Sequence, residues 1–338
     1  MPRMRMNQAI TAAIRDEMAE DDTVVVLGED VAAAGGVFKT SVGLLDEFGP
    51  NRVRDTPISE MAILGAAVGA ATTGLRPVAE IMFVEFFGVC LDQLVTQAAK
   101  LHYLTAGAVT VPMVARASVG AGRGFGATHS QTCETWFTAT PGLKIVSVWD
   151  AAGAYGLLRS AIRDDNPVVF LEPKCAYGNR GDMVRGEEGI LPLGEAAVLR
   201  SGDEVTLLSL GQMVPVALAA AQMLEAEGIS AEVVDLRTLR PWDRETVLTS
   251  VARTRRAVIV EENPASGGWG HEPASVIGAE LFGELLAPVH RVTTPDVPVP
   301  FSRELELNYL PTPEYVTSQV TSLCNTARSP HPWWEEPS

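Results

Sequence analysis

The 338-residue chain has little of what would build a disulfide scaffold, a metal cluster or a membrane span. Its four cysteines, Cys90, Cys133, Cys175 and Cys324, lie far apart and form no CxxC pair. That spacing excludes a disulfide framework and a structural zinc site, and it fits a reducing compartment. The five histidines show no HxxxH ligand spacing. No apolar stretch reaches 18 residues without a charge or a turn signal, so no membrane span is expected. Basic residues are outnumbered, 26 against 42 acidic, for a formal net charge of −16. A field of that sign repels phosphate backbones, which argues against a nucleic-acid partner. The opening MPRMRMNQAITAAIRDEM lacks an apolar core of the signal-peptide kind and is too acidic for a transit sequence, so a cytoplasmic location is expected.

What is present is material for two packed cores, since 46% of the residues are hydrophobic and a domain takes roughly 150 residues. Short apolar runs alternate with helical patterns, the signature of a two-domain α/β chain with parallel sheets flanked by helices. Ile10, Ile14 and Met18 mark a first amphipathic helix, with Asn7 as its expected cap. Strands are expected at 23–27, 77–83, 111–116, 143–148 and 167–172, and helices at 59–73, 91–104 and 151–163. The glycine-rich, aperiodic stretch 176–198 reads as a linker between domains 1–175 and 199–338. The second domain is expected to hold strands at 204–210, 231–236, 256–261 and 289–293. Its helices are expected at 213–227, 244–251, 271–286 and 314–326.

Ligands in open α/β sheets collect at the carboxyl ends of strands. Three loops could lie there. Gly28-Glu29-Asp30 follows an apolar strand directly, and its acids either face solvent or line a polar cavity. Glu60 opens a helix almost devoid of polar side chains, behind Ser59 as the expected cap. A helix so apolar is expected to be buried, and its acid with it. A buried carboxylate must be paired or take up a proton. The third loop, Gly120-Ala-Gly-Arg-Gly-Phe-Gly126, leads to His129, a candidate acid–base side chain. Its spacing is not the GxGxxG dinucleotide fingerprint, which leaves a plain nicotinamide enzyme without its motif.

The runs GEDVAAAGGVFK, GPNRVRDTPISE, GLRPVAEIMFVEF, DQLVTQAAK, THSQ, PGLKIVS, AIRDDNPVVFLEPK, EVVDLRTLRPWD and TRRAVIVEEN occur in order over residues 5 to 325. Together they resemble the beta subunit of the first component of thiamine-diphosphate-dependent 2-oxo acid dehydrogenases. Relatives of that kind act on pyruvate, branched-chain 2-oxo acids or acetoin. The resemblance implies a pyrimidine-binding domain followed by a transketolase-type C-terminal domain, in an α2β2 heterotetramer. The alpha subunit would supply the diphosphate and magnesium site through a GDG motif. No GDG occurs here, since Gly181-Asp182-Met183 and Gly202-Asp203-Glu204 both fail at the third position.

Carried over by position, Glu60 matches the glutamate that bonds N1′ of the cofactor's aminopyrimidine. A carboxyl there promotes the imino tautomer that takes the thiazolium C2 proton. Phe86 matches the aromatic that packs on the pyrimidine, Met82 falls at a neighbouring pocket position, and Glu29 resembles an acid that lines the cofactor side of the pocket in relatives. His129 matches the histidine beside the substrate and the incoming lipoyl group, where it would donate a proton during reductive acylation. Met113, Ala161, Ile162, Asp164 and Asn166 fall where some relatives bind a structural potassium ion, mostly through backbone carbonyls.

The implied function is oxidative decarboxylation of a 2-oxo acid with transfer of the acyl group to a lipoyl acyltransferase partner. Acetoin cleavage and a split transketolase half are the alternatives. Two departures from the family pattern, Val148 to Tyr155 and His271 after Gly267-Gly268-Trp269-Gly270, leave the roles of Trp149, Tyr155 and His271 open.

Overall fold

The computed structural model describes residues 3–335. It divides into two compact units. The first runs up to Gly120 and resumes over Trp136–Leu193; the second takes Ala121–Thr135 and continues from Gly194. The division differs from the expected boundaries in two ways. The stretch read as a linker belongs largely to the first unit, because Arg180–Asp182 pairs antiparallel with Arg3–Arg5 and the Gly186 amide donates to the buried Tyr155 hydroxyl at 2.7 Å. The loop carrying His129 lies in the second unit, although strands of the first unit flank it in sequence.

In the first unit, α1 (Met6–Glu20) buries Ile10, Ile14 and Met18 completely, as their spacing requires. Its N-cap is Arg5, not Asn7, because the extended segment before it already ends at Arg5. Asn7 instead donates from its side chain to the Phe38 carbonyl. Strands β1 (Val24–Gly28), β2 (Val53–Asp55), β3 (Arg76–Phe83), β4 (Val114–Val119), β5 (Lys144–Ser147) and β6 (Val168–Pro173) are parallel and stand in the order β5-β6-β4-β3-β1-β2. β4 and β6 are buried along their whole length, as central parallel strands covered on both faces must be. Helices α2 (Glu60–Thr72) and α3 (Ala151–Arg163), a short helix at Leu44–Phe48 and a helical stretch over 87–104 accompany the sheet. α3 begins where Asp150 accepts the Gly153 amide at 2.8 Å.

α3 packs on α1 through apolar contacts and an ion network whose buried centre is Arg159 with Glu17. Arg159, with no exposed surface, reaches Glu17 at 2.5 Å and Glu20 at 2.7 Å. Arg163 joins the same acids and Glu187. Tyr155 belongs to this network: its hydroxyl donates to Asp16 at 2.7 Å and accepts from Arg159 and from Gly186. This placement makes Tyr155 a structural residue.

The second unit is a five-stranded sheet of β7 (Ala197–Arg200), β8 (Val205–Ser209), β9 (Ala231–Asp235), β10 (Ala257–Pro264) and β11 (His290–Thr294), ordered β11-β10-β8-β9-β7. All pairs are parallel except β7 with β9. Helices α4 (Met213–Ala226), α5 (Arg244–Thr254), α6 (His271–Glu280), α7 (Arg303–Tyr309) and α8 (Pro313–Thr326) surround it. The core joins Leu207, Val258 and Val260 of the sheet to Ala217, Leu224, Val316 and Val320 of α4 and α8. α6 stops at Glu280, short of the expected Leu286, in a turn that places Gly283 at positive φ. No helix among the described residues is long and apolar enough to cross a membrane.

Candidate active site

The sheet order of the first unit places β3, β1 and β2 side by side and parallel, so their carboxyl ends share one edge. Three of the expected site residues start from that edge. Glu29 follows β1, Phe86 lies in the turn after β3, and Glu60 opens α2 shortly after β2. Gly28 permits the close strand approach, since a Cβ there would meet the Glu80 carbonyl at 2.8 Å.

Glu29 is buried and Glu60 is half-exposed. Neither carboxylate has a hydrogen-bond or ion-pair partner among the described residues. Burial pushes the Glu29 carboxyl above its ordinary range, and the negative charges of Glu60 and then Asp30 push it the same way. The Cys90 thiol, on the adjoining helical stretch, is pushed up to about 12 by burial and by the same Glu60 charge. Glu60 is therefore the shared neighbour of a buried acid and a buried thiol.

The expected burial of Glu60 and its helix is only half met. Ile63, Leu64, Ala67 and Val68 are buried, but Met61 is 56% exposed and Ile58, just before the helix, is 83% exposed. The small side chains pack one face against the 87–104 helix, where Gln93 approaches Gly65, and leave the opposite face bare in the single chain. Ser59 stands at the N-cap position but makes no side-chain cap bond. Phe86 is half-buried and meets Phe83 edge-on at 5.5 Å, while Phe83 meets Phe38 edge-on at 5.7 Å. Met82, also half-buried, accepts the Ser118 hydroxyl on its carbonyl.

Beneath this edge lies a charged group that the strand patterns did not predict. Arg116, 1% exposed, grips Glu172 with two bonds of 2.8 and 2.9 Å and Glu80 with one of 2.7 Å. Thr40 completes Glu80 and the Tyr177 hydroxyl completes Glu172. Arg116 faces Glu80 directly across β3 and β4. The signal was legible: a charge stands inside each of three otherwise apolar parallel strands.

The residues marked for a cation lie around the end of α3 and the start of β4. Here Arg76 donates from Nη1 to the carbonyls of Ile162 and Asp164, both at 3.1 Å, and the Val168 amide donates to the Met113 carbonyl. Asp164 pairs with Lys144 and accepts two bonds from Asn166, which hold its carboxyl below the usual range against the opposing effect of burial. Three of the five candidate carbonyls thus already have a donor, and the fit to a potassium ion is correspondingly poor. Among the described residues no group of three or more His, Cys, Asp or Glu is arranged to hold a metal.

In the second unit His129 is half-buried and its Nδ1 lies 2.9 Å from the Thr128 hydroxyl. The chain beyond it lines a cavity of about 360 Å³ together with Glu262, Asp296 and Tyr309. His271 proves to be a brace. Its Nδ1 meets the Gly268 carbonyl at 2.9 Å and its Nε2 meets Arg291, which in turn holds the buried Glu261. Burial pushes Glu261 up to about 7 even against Arg291.

Two parallel-rich sheets flanked by helices define a two-domain α/β chain, with carboxylates and aromatics gathered at one strand edge of the first unit. Residues 3–179 match the transketolase pyrimidine-binding domain and residues 194–316 match the transketolase C-terminal domain. The chain is 44% identical to the Caenorhabditis elegans mitochondrial pyruvate dehydrogenase E1 component subunit beta, covering 96% of this chain and 93% of that one. It is 42% identical to the beta subunit of Bacillus subtilis acetoin:2,6-dichlorophenolindophenol oxidoreductase, covering 94% and 96%. A solved split-gene transketolase, described as an inactive beta4 tetramer, superposes with a TM-score of 0.77 at 28% identity, covering 96% of this chain and all of that one. The chain belongs to the family of beta subunits of thiamine-diphosphate-dependent 2-oxo acid dehydrogenases, of the pyruvate and acetoin type.

Proposed function

We propose that this chain is the beta half of an enzyme that oxidatively decarboxylates a 2-oxo acid and reductively acylates a lipoyl group on an acyltransferase partner. The observation that carries the reading is Glu60, without a partner among the described residues, beside buried Glu29 at the strand edge where the pyrimidine-binding match falls. Bound thiamine diphosphate would supply a nucleophilic carbon for attack on the substrate carbonyl. Glu60 would hold and release a proton at N1′ of the aminopyrimidine. Glu29, whose burial and acidic neighbours favour the protonated form, would keep a second proton close by. Phe86 and Met82 would pack against the flat ring. His129 would give a proton to a sulfur of the opening dithiolane.

The diphosphate and magnesium fall to an alpha subunit, in keeping with the missing GDG motif and with an α2β2 assembly. The bare face of α2, led by Met61 and by Ile58 before it, is apolar surface of the kind a subunit contact covers. A potassium ion at Met113, Ala161, Ile162, Asp164 and Asn166 would have to share two carbonyls with Arg76, whose charge opposes it.

Reconstitution with the alpha subunit, thiamine diphosphate, magnesium and a lipoylated acceptor tests the reading. Acyl transfer from a 2-oxo acid is the expected result. Transfer only from acetoin would select the acetoin enzyme, for which the Bacillus relative speaks. Ketol transfer without use of a lipoyl acceptor would select the split transketolase.

A further inference from the structure

The glycine-rich loop before His129 places Gly120, Gly122, Gly124 and Gly126 at positive φ, between 72° and 93°. A chain so permissive has many alternative conformations and holds one of them only if something outside it does the holding. Alternating positive φ turns the amides of such a segment toward one point, an anion-binding concavity. In this molecule that point is occupied by a side chain of the same unit. Glu306 of α7 is 2% exposed, and its two carboxylate oxygens accept the Gly122 amide at 2.7 Å and the Gly124 amide at 2.9 Å. No cation pairs with Glu306 among the described residues, so these amides are what answers its buried charge.

Further contacts bolt the same segment. Glu262 accepts the Ala121 amide at 2.5 Å, and Ala121 packs with Val299, Tyr309 and Leu310. At the far end Asn263 donates to the Thr132 hydroxyl at 2.9 Å and to Glu134 at 2.8 Å. α7 presents Glu306 and Tyr309 inward from positions three apart while Leu305 and Leu307 stay exposed. The helix is thereby oriented as the jaw of a clamp.

We infer that Glu306 is a positioning residue: by capping the Gly122 and Gly124 amides it selects the loop conformation that presents His129. The kinetic half of this inference rests on the proposed role of His129 in acyl transfer; the structural half does not. Hydrogen–deuterium exchange on the reconstituted α–β assembly separates the two. Glu306→Ala should raise amide exchange over residues 120–126 at least tenfold while β8 and α8 keep their protection. Glu306→Gln, which retains one acceptor oxygen in place of two, should restore part of it.

In the same samples the rate of lipoyl acylation should fall at least fivefold more than the rate of dye-linked oxidation, which bypasses the lipoyl acceptor. Unchanged exchange over 120–126, or protection lost evenly across the second unit, would overturn the clamp. If His129→Ala leaves acylation intact, the role given to His129 fails, and the exchange result still decides for or against Glu306.

Discussion

Glu80 and Glu172 stand on strands of the same sheet whose carboxyl edge carries Glu29 and Glu60, yet the two pairs are treated in opposite ways. Glu80 and Glu172 are answered by Arg116, Thr40 and Tyr177 with bonds of 2.7 to 3.1 Å. Glu29 and Glu60 have no such partner among the described residues and repel one another. A buried acid that the chain satisfies is part of the scaffold. One that it leaves unanswered is open to a ligand. Sequence position does not tell the two apart, because each acid adjoins or interrupts an apolar strand or helix.

That contrast is broken most forcefully at Glu60. Glu60→Gln in the reconstituted tetramer should lower kcat by about 10² to 10⁴-fold, the usual weight of one acid–base group, with assembly by gel filtration unchanged. Retained turnover would remove Glu60 from the chemistry. Arg116→Leu tests the opposite pair. It strands two buried carboxylates and should destabilise the chain by about 3 to 5 kcal/mol in urea unfolding. A loss below about 1 kcal/mol would mean that solvent reaches the group, contrary to its burial.

Tyr155→Phe should cost roughly 1 to 3 kcal/mol by removing a buried hydroxyl that bonds Asp16, Arg159 and Gly186, with kcat unaltered once folded. A selective loss of kcat would place Tyr155 at the substrate after all.

The smallest effect belongs to Glu29. Its pKa is raised on folding, so the stabilisation attached to its protonated form is present below the unfolded value and is lost as pH rises through the folded value. Glu29→Gln should therefore match the parent in stability at acid pH and exceed it at neutral pH. A variant that is weaker than the parent at neutral pH would show that the carboxylate has a favourable partner.

Much of the architecture was written locally. α3 begins and ends at Ala151 and Arg163 as its periodicity requires, with Asp150 as a capping acid. The burial of Ile10, Ile14 and Met18 follows from their spacing. Other boundaries moved for identifiable reasons. The strand expected at 111–116 occupies Val114–Val119, because Pro112 has no amide to give and the ladder with Val78 and Val168 begins at Val114. The cap of α1 moved from Asn7 to Arg5 through pairing with residues far along the chain, which no local pattern records.

By itself the sequence determined the α/β class, the apolar strands, the helix that starts at Glu60 and the motifs that tie the chain to its family. These rest on periodicity and local chemistry. Only the tertiary structure decided which acids have partners, that Tyr155 and His271 are braces, and that the His129 loop belongs to the second unit under the carboxylate of Glu306. The physical reason is that burial and pairing are properties of residues brought together across long sequence separations. The sequence separation of 184 from Gly122 to Glu306 is closed by folding alone.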